Sequence, residues 1–225
     1  MGKSNLLKDA VNPNISVENI LLRLKIIFSD LDNDLIMKWV NGETKGYKDT
    51  ADLPPYRIIK GNPTGNYIVN FNVHYKNNQV PLEMLIDREK INELTTVEMK
   101  QSIGTLQNIL ASENRDNYAV VIPTAYCHSI SIETLQIASM RIKISSSILD
   151  EIVSNVKSTL VEVIMELEKQ FDDLDELDIQ SQIKEDLPKK EQAVVNIMQI
   201  INDDSITIGD KNKLDNSEIG NHNTE

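Results

Sequence analysis

The segment Tyr67-Ile68-Val69-Asn70-Phe71-Asn72-Val73-His74-Tyr75 decides the predicted fold class. Its apolar residues recur at every second position between polar ones, which predicts a half-buried β-strand. The polar run 76–78 predicts a turn, and residues 80–86 predict a strand that pairs back. Further strand-forming residues lie within 118–144. Because these strands and the flanking helices do not alternate regularly, we expect an α+β fold with a small, mostly antiparallel sheet.

Three helices are predicted upstream of this segment, and together they form an N-terminal helical bundle. Ser4 and Ser16 are placed to cap the first two helices, and Asp32 is placed to cap the third. Gly42 is expected to end the third helix, because glycine commonly follows the last helical turn. Residues 43–66 are rich in glycine and proline, which predicts an irregular loop.

Three more helices are predicted downstream of the hairpin. Thr95-Thr96-Val97-Glu98 has the spacing of a capping box and predicts a helix start. Ser145 leads into a long closing helix with a continuous apolar stripe, which ends at Phe171. An acidic stretch follows, and Pro188 is placed to begin the final helix.

Composition and charge limit the classes of function. The chain has 225 residues, a formal net charge of −12 and 40% hydrophobic residues, which suits an ordinary globular protein. A negative field repels phosphate backbones, so the charge argues against nucleic acid as a general partner. With Cys127 as the only cysteine, no internal disulfide forms, and the amino terminus has no signal-peptide pattern. Apolar runs are too short to span a membrane, so we expect a cytoplasmic protein.

The last 20 residues contain a repeat that suggests assembly. Ile208-Gly209-Asp210-Lys211-Asn212 is echoed by Ile219-Gly220-Asn221-His222-Asn223, with Leu214 between them. Aliphatic residues at this spacing, with glycine and asparagine at the corners, suit a short β-solenoid-like tail that needs further copies of itself. We therefore expect a homo-oligomer, preferably a trimer. The residues expected to hold it together are Val194, Ile197, Met198, Ile201, Ile208, Leu214 and Ile219. A disordered polar tail, with dimerisation through the main domain, is the alternative.

Two short motifs resemble a known family. The first is Trp39-Val40-Asn41-Gly42-Glu43-Thr44-Lys45-Gly46-Tyr47, and the second is Leu53-Pro54-Pro55-Tyr56-Arg57 followed by Gly61. Together with the serine-led long helix, they are similar to the abortive-infection AbiTii-type domain, over roughly residues 4–171. Thr44 departs from the apolar residue expected after the glutamate. The resemblance implies a role in bacterial defence against phage and implies no established chemistry.

The resemblance also singles out a candidate functional loop, formed by Glu43, Tyr47, Tyr56 and Arg57. Irregular loops held on rigid scaffolds often carry function. The competing interpretation is structural: Arg57 pairs with Glu43 and fixes the loop to the bundle, with Trp39 and Tyr47 as packing residues. We favour this structural interpretation.

Other candidates for chemistry are weaker. Cys127 and His128 are adjacent, and in an extended chain such neighbours point to opposite faces. Three scattered histidines lack the spacing of a zinc site, and the acidic run 172–178 lacks that of an EF-hand. No phosphate-binding glycine motif occurs in the sequence. We therefore predict no metal site and no cofactor.

The sequence is divided by these patterns into an AbiTii-like domain at 1–171, an acidic linker at 172–187 and an oligomerisation region at 188–225. The favoured function is an oligomeric interaction, sensor or scaffold protein of an abortive-infection antiphage system. Its candidate partners are itself, a co-encoded defence protein or a phage protein. The alternative is a toxic, nuclease-like effector enzyme with a site in the loop from Glu43 to Arg57. Whether the chain is an enzyme stays open, with the balance against it.

Overall fold

The fold combines helices with small antiparallel sheets, as the sequence predicted. The computed structural model describes residues 2–202, apart from the side chain of Glu185. Its helices are α1 (Asn5–Val11), α2 (Val17–Leu31), α3 (Asp34–Lys45), α4 (Arg88–Thr95), α5 (Ile103–Ala111), α6 (Thr124–Ile130), α7 (Ser146–Gln170), α8 (Gln180–Glu185) and α9 (Leu187–Asn202). Its strands are β1 (Ile58–Lys60), β2 (Asn62–Val69), β3 (Val73–Gln79), β4 (Thr96–Glu98), β5 (Ala119–Ile122) and β6 (Leu135–Lys143).

The caps of the amino-terminal helices follow the sequence closely. The Ser4 hydroxyl accepts a hydrogen bond from the Leu7 N–H, and the Ser16 hydroxyl accepts one from the Asn19 N–H. The third cap was predicted one residue too early. Asn33 caps α3, whereas Asp32 ends α2 in the left-handed conformation, where Asp is one of the tolerated residues.

Helix α3 continues through Gly42 and ends at Lys45, so the predicted stop was wrong. Gly42 meets a different need, because the ring of Tyr47 lies directly on it. A Cβ at this position would be 2.2 Å from Tyr47 Cε1. The helix stops at Gly46, whose φ of +88° few other residues adopt, and whose missing Cβ leaves room for the Lys100 carbonyl.

The segment 67–75 is a hairpin rather than one strand. Strand β2 ends at Val69, and Asn70 and Phe71 turn the chain with φ values of +49° and +65°. The predicted turn at 76–78 lies inside β3. Within residues 80–86, Leu82–Met84 form a short 3-10 helix, and no strand forms there. The error has a physical reason: the turn contains no glycine, and the apolar alternation runs straight across it.

Two antiparallel sheets result. The larger has the strand order β3-β2-β6-β5, and the smaller pairs β1 with β4. The capping box predicted at Thr95–Glu98 was wrong, because these residues end α4 and form β4. Their partner is a strand far away in sequence, with Ile59 opposite Val97. Helix α5 instead begins after Ser102, whose hydroxyl accepts from the Thr105 N–H.

The main core lies between the helices. The long helix α7, which begins after Ser145 as predicted, packs against α1, α2, α5 and α9, and its stripe from Leu149 to Leu167 is almost fully buried. A second, smaller core lies under the larger sheet, and its centre includes Tyr67, Leu135 and Met140. The two cores share Leu94 and Ile122 at their edges, so they are continuous.

The acidic segment after α7 packs on the helices, which differs from the linker expected at 172–187. Leu174 and Ile179 are buried in the main core. The Asp175 carboxylate accepts hydrogen bonds from the Asn5 and Leu6 N–H groups at the start of α1, where carboxylates are favoured. Searched from residue 2 to 202, the chain contains no helix that is both long and apolar enough to cross a membrane.

Candidate functional site

The four predicted loop residues come together at the carboxyl end of α3. Glu43 lies in the last turn of α3, and Tyr47 follows directly after Gly46. Tyr56 and Arg57 lie on a helical turn that begins after Pro54, whose carbonyl accepts the Arg57 N–H. Leu53 is buried, so this turn is held against the helix rather than exposed as a free loop.

Glu43 is the centre of a buried hydrogen-bond network. Its Oε1 atom accepts from the Tyr47 hydroxyl at 2.8 Å, from the Tyr56 hydroxyl at 2.8 Å and from Arg57 Nε at 2.9 Å. Its Oε2 atom accepts from Arg57 Nη2. Glu43 and Arg57 are both 0% exposed, so the pair is charge-assisted and shielded from water.

The Nη1 atom of Arg57 binds backbone carbonyls in a distant part of the chain. Arg57 Nη1 donates to the Met99 carbonyl at 2.9 Å and to the Gln101 carbonyl at 2.7 Å. The Met99 N–H returns a bond to the Arg57 carbonyl. One side chain therefore joins α3 to the segment that connects β4 to α5, which the chain reaches more than forty residues later.

Trp39 extends the network toward the surface. Its indole N–H donates to the Tyr56 hydroxyl at 3.1 Å, while that hydroxyl donates to Glu43. The Arg57 guanidinium carbon lies 5.2 Å from the centre of the Tyr47 ring, within cation–π range. Trp39 is only 5% exposed, which confirms that it packs in the core.

The electrostatics keep these groups in fixed protonation states. Burial, reinforced by the neighbouring Glu43, raises the pKa of Tyr47 far above its ordinary value, and the same causes raise the pKa of Tyr56. Burial alone would lower the pKa of Arg57, but the Glu43 carboxylate outweighs it and the pKa is raised. The two tyrosines thus remain neutral donors and Arg57 remains a cation.

The arrangement is typical of a structural lock. The structure pairs Arg57 with Glu43, as the structural interpretation of the loop expected, and both carboxylate oxygens of Glu43 accept bonds from within the protein. A substrate would have to displace these internal partners to reach either charge. The sequence missed the two backbone acceptors, Met99 and Gln101, since a carbonyl leaves no signal in residue type.

A groove of about 420 Å³ lies beside this lock, on the far side of Trp39. Its walls come from α3, the loop before β1 and the carboxyl end of α9, including Leu35, Pro54, Met198 and Ile201. Residues of the family-like motifs and of the carboxyl end of α9 therefore line the same groove.

The remaining candidates are dispersed. Cys127 is fully buried inside α6, and burial raises the pKa of its thiol, which makes it a poor nucleophile. His128 is exposed on the same helix, so the pair is not extended as supposed. Between residues 2 and 202, no group of three or more histidine, cysteine, aspartate or glutamate side chains is placed to hold a metal ion.

The predicted oligomerisation residues divide into two groups. Ile197 is fully buried within one chain, and Val194, Met198 and Ile201 are partly buried against the same core. This face of α9 therefore packs against the chain's own core, and Met198 and Ile201 also line the groove beside Trp39. Ile208, Leu214 and Ile219 lie outside the described residues, so assembly through the tail stays a prediction.

Comparison with known proteins adds the family. The AbiTii family model matches residues 4–192, which is most of the chain and extends into α9. A search of curated proteins found no match. A search of solved structures also found none. The matched range contains both motifs and the whole network around Glu43. This chain is a member of the AbiTii family.

Proposed function

We propose that the protein is a component of a bacterial abortive-infection antiphage system and acts by binding another macromolecule rather than by catalysis. Membership of the AbiTii family supports the defence role. The buried lock between Glu43 and Arg57 is the observation that carries the second part. The polar residues of the family-like motifs hold the fold together. We therefore expect the binding surface to be formed by exposed residues elsewhere.

The alternative, an effector enzyme with its site at this loop, has less support. Catalytic groups need access to the substrate and pKa values near the working pH. Here Tyr47 and Tyr56 have raised pKa values, and Arg57 is 0% exposed with four hydrogen bonds. These properties argue against proton transfer or nucleophilic attack by the loop. The proposal also includes that the protein acts in the cytoplasm and that it assembles as a homo-oligomer through residues 203–225.

Removing single hydroxyl groups tests this proposal. Tyr47→Phe and Tyr56→Phe keep the ring packing. The first deletes one hydrogen bond, to Glu43, and the second deletes two, to Glu43 and from the Trp39 indole N–H, at a cost of about 1 kcal/mol per bond. Each variant should fold and protect cells against phage as well as the unmodified chain does, measured as plating efficiency. Protection lost by either variant, with its melting temperature lowered by only a few degrees, would instead favour the enzyme.

A further inference from the structure

The larger sheet carries a charge opposite to that of the whole protein. Its four strands contain three cationic residues, Lys76, Arg141 and Lys143, and no aspartate or glutamate, in a chain whose net charge is −12. The acid-free sequence is long, running from Leu53 to Leu82. None of these three cations forms an ion pair with the described remainder of the chain. The sheet is therefore a positive region on an acidic protein.

Strand β3 is the edge of this sheet, and it is uncovered. It pairs with β2 on one side, and within residues 2–202 no strand pairs with its outer side. All seven of its side chains are exposed, including Val73 at 45% and Tyr75 at 37%. Such an edge presents unpaired backbone N–H and carbonyl groups, to which an extended chain can add as a further strand.

The cations lie on one face of this edge. Side chains alternate along a strand, so His74 and Lys76 share the face opposite to Val73 and Tyr75. Arg141 Nη2 lies 3.4 Å from Asn77 Oδ1, which brings its guanidinium across the sheet to the same edge. Asn77 has a φ of +49° beside an irregularity in the β2–β3 pairing. The regular stretch of β3 is therefore residues 73–75, and Lys76 lies at the start of the irregularity.

The hairpin tip supplies an independent observation. Phe71 has a φ of +65° and is 65% exposed. Glycine or asparagine adopts this conformation with less strain, and a large aromatic side chain there packs little within the chain. Strained residues that persist at exposed positions tend to serve a contact with another molecule.

We infer that residues 71–76 form a docking edge for an extended segment of a partner protein in which apolar and acidic residues alternate. The partner's apolar side chains would lie beside Val73 and Tyr75, with Phe71 at one end, and its carboxylates would lie near Lys76 and Arg141. This inference rests on the proposed function, because it gives the binding protein its binding surface.

Two other occupants fit the edge less well. A second copy of β3, paired antiparallel about Tyr75, would place His74 opposite Lys76 and so bring basic residues together. Nucleic acid would meet only three sheet cations within a strongly acidic protein. The Tyr75 ring is also already stacked on Tyr67, with centroids 4.8 Å apart, so one of its faces is not free for a base.

Peptide titration of the full chain tests the inference. The probe is a hexapeptide of alternating valine and glutamate, and its counterpart has lysine in place of glutamate. In NMR spectra of the isotopically labelled protein, the amide chemical shifts of residues 71–76 should change saturably as the acidic peptide is added. Lys76→Glu should weaken this binding about fivefold, as expected for one surface ion pair, and should favour the basic peptide. Lys48→Glu, an equal charge change at an exposed residue on another segment, should leave it within about twofold.

A second variant separates binding from folding. Phe71→Asn should keep or raise the melting temperature, because asparagine tolerates positive φ. It should also weaken binding of the acidic peptide. Absence of saturable shifts in β3, or equal weakening by Lys48→Glu, would overturn the inference. So would tighter binding of a single-stranded oligonucleotide at this edge, or a dimer that Lys76→Glu dissociates. Lys76→Glu should also remove phage protection; retained protection overturns the docking edge and leaves the proposed function standing.

Discussion

Replacing Arg57 with alanine should lower the free energy of unfolding by about 3–5 kcal/mol. The change removes both bonds to Glu43 and leaves that carboxylate 0% exposed with no cation beside it. It also removes the donors of the Met99 and Gln101 carbonyls. For a chain of 225 residues, this loss corresponds to a fall in melting temperature of roughly 6–20 °C.

Urea unfolding of the purified chain, followed by circular dichroism, measures this loss as a shift of the midpoint at unchanged slope. Lys38→Ala is the matched control, because the Lys38–Asp52 pair lies in the same region and its lysine is exposed. Its cost should stay within about 1 kcal/mol. If Arg57→Ala unfolds at the same urea concentration as the control, the network does not hold the fold and the reasoning fails.

Three further predictions follow from the same structure. Trp39→Ala should cost about 3–5 kcal/mol, and the tryptophan emission of the folded chain should be blue-shifted; an emission maximum typical of water would contradict its burial. Gly42→Ala should destabilise the protein by about 1–3 kcal/mol in urea unfolding, although alanine is the better helix former, because its methyl group would meet the Tyr47 ring; a gain in stability would show that the ring can move away. Burial opposes ionisation of Glu168, but hydrogen bonds from Ser4 and from Lys3 outweigh it and lower its pKa. The contribution of Glu168 to the free energy of unfolding is therefore present above about pH 4.3 and is lost as the pH falls through the lowered pKa. Glu168→Gln should reduce the difference in stability between pH 7 and pH 3. An unchanged difference would refute this role of Glu168.

Local signals in the sequence predicted much of the helical framework. Ser4, Ser16 and Ser145 stand at the starts of the helices that their positions predicted, and each caps its helix, because a cap needs only a hydroxyl next to an apolar periodicity. The buried Trp39 was also predictable from its helical spacing. These features depend on neighbours a few residues away, which the sequence displays directly.

Long-range and backbone effects explain the errors. Thr95–Glu98 has the local pattern of a helix start, but pairing with β1 decides its conformation. The hairpin at Asn70 was hidden because Phe71 adopts a conformation that sequence rules reserve for glycine and asparagine. Likewise, Ile197 was assigned to an oligomer contact because the helical pattern shows an apolar face and not what covers it.

The candidate site was predictable in its members and not in its full geometry. Glu43 and Arg57 carry opposite charges on adjoining motifs, so their pairing could be expected. That both would be fully buried depends on α7 and the β4–α5 segment, which approach from distant parts of the chain. Exposure is the property that separates a structural lock from an active site, and only the tertiary structure provides it.

Comparison of two folded variants in one plating assay tests the central claim most directly. Tyr56→Phe alters the buried lock by one hydroxyl, and Lys76→Glu alters the exposed edge by one charge. With folding of each checked by thermal melting, Tyr56→Phe should protect cells against phage as the unmodified chain does, and Lys76→Glu should not. Loss of protection by Tyr56→Phe together with full protection by Lys76→Glu would place the function at the buried loop and contradict the account.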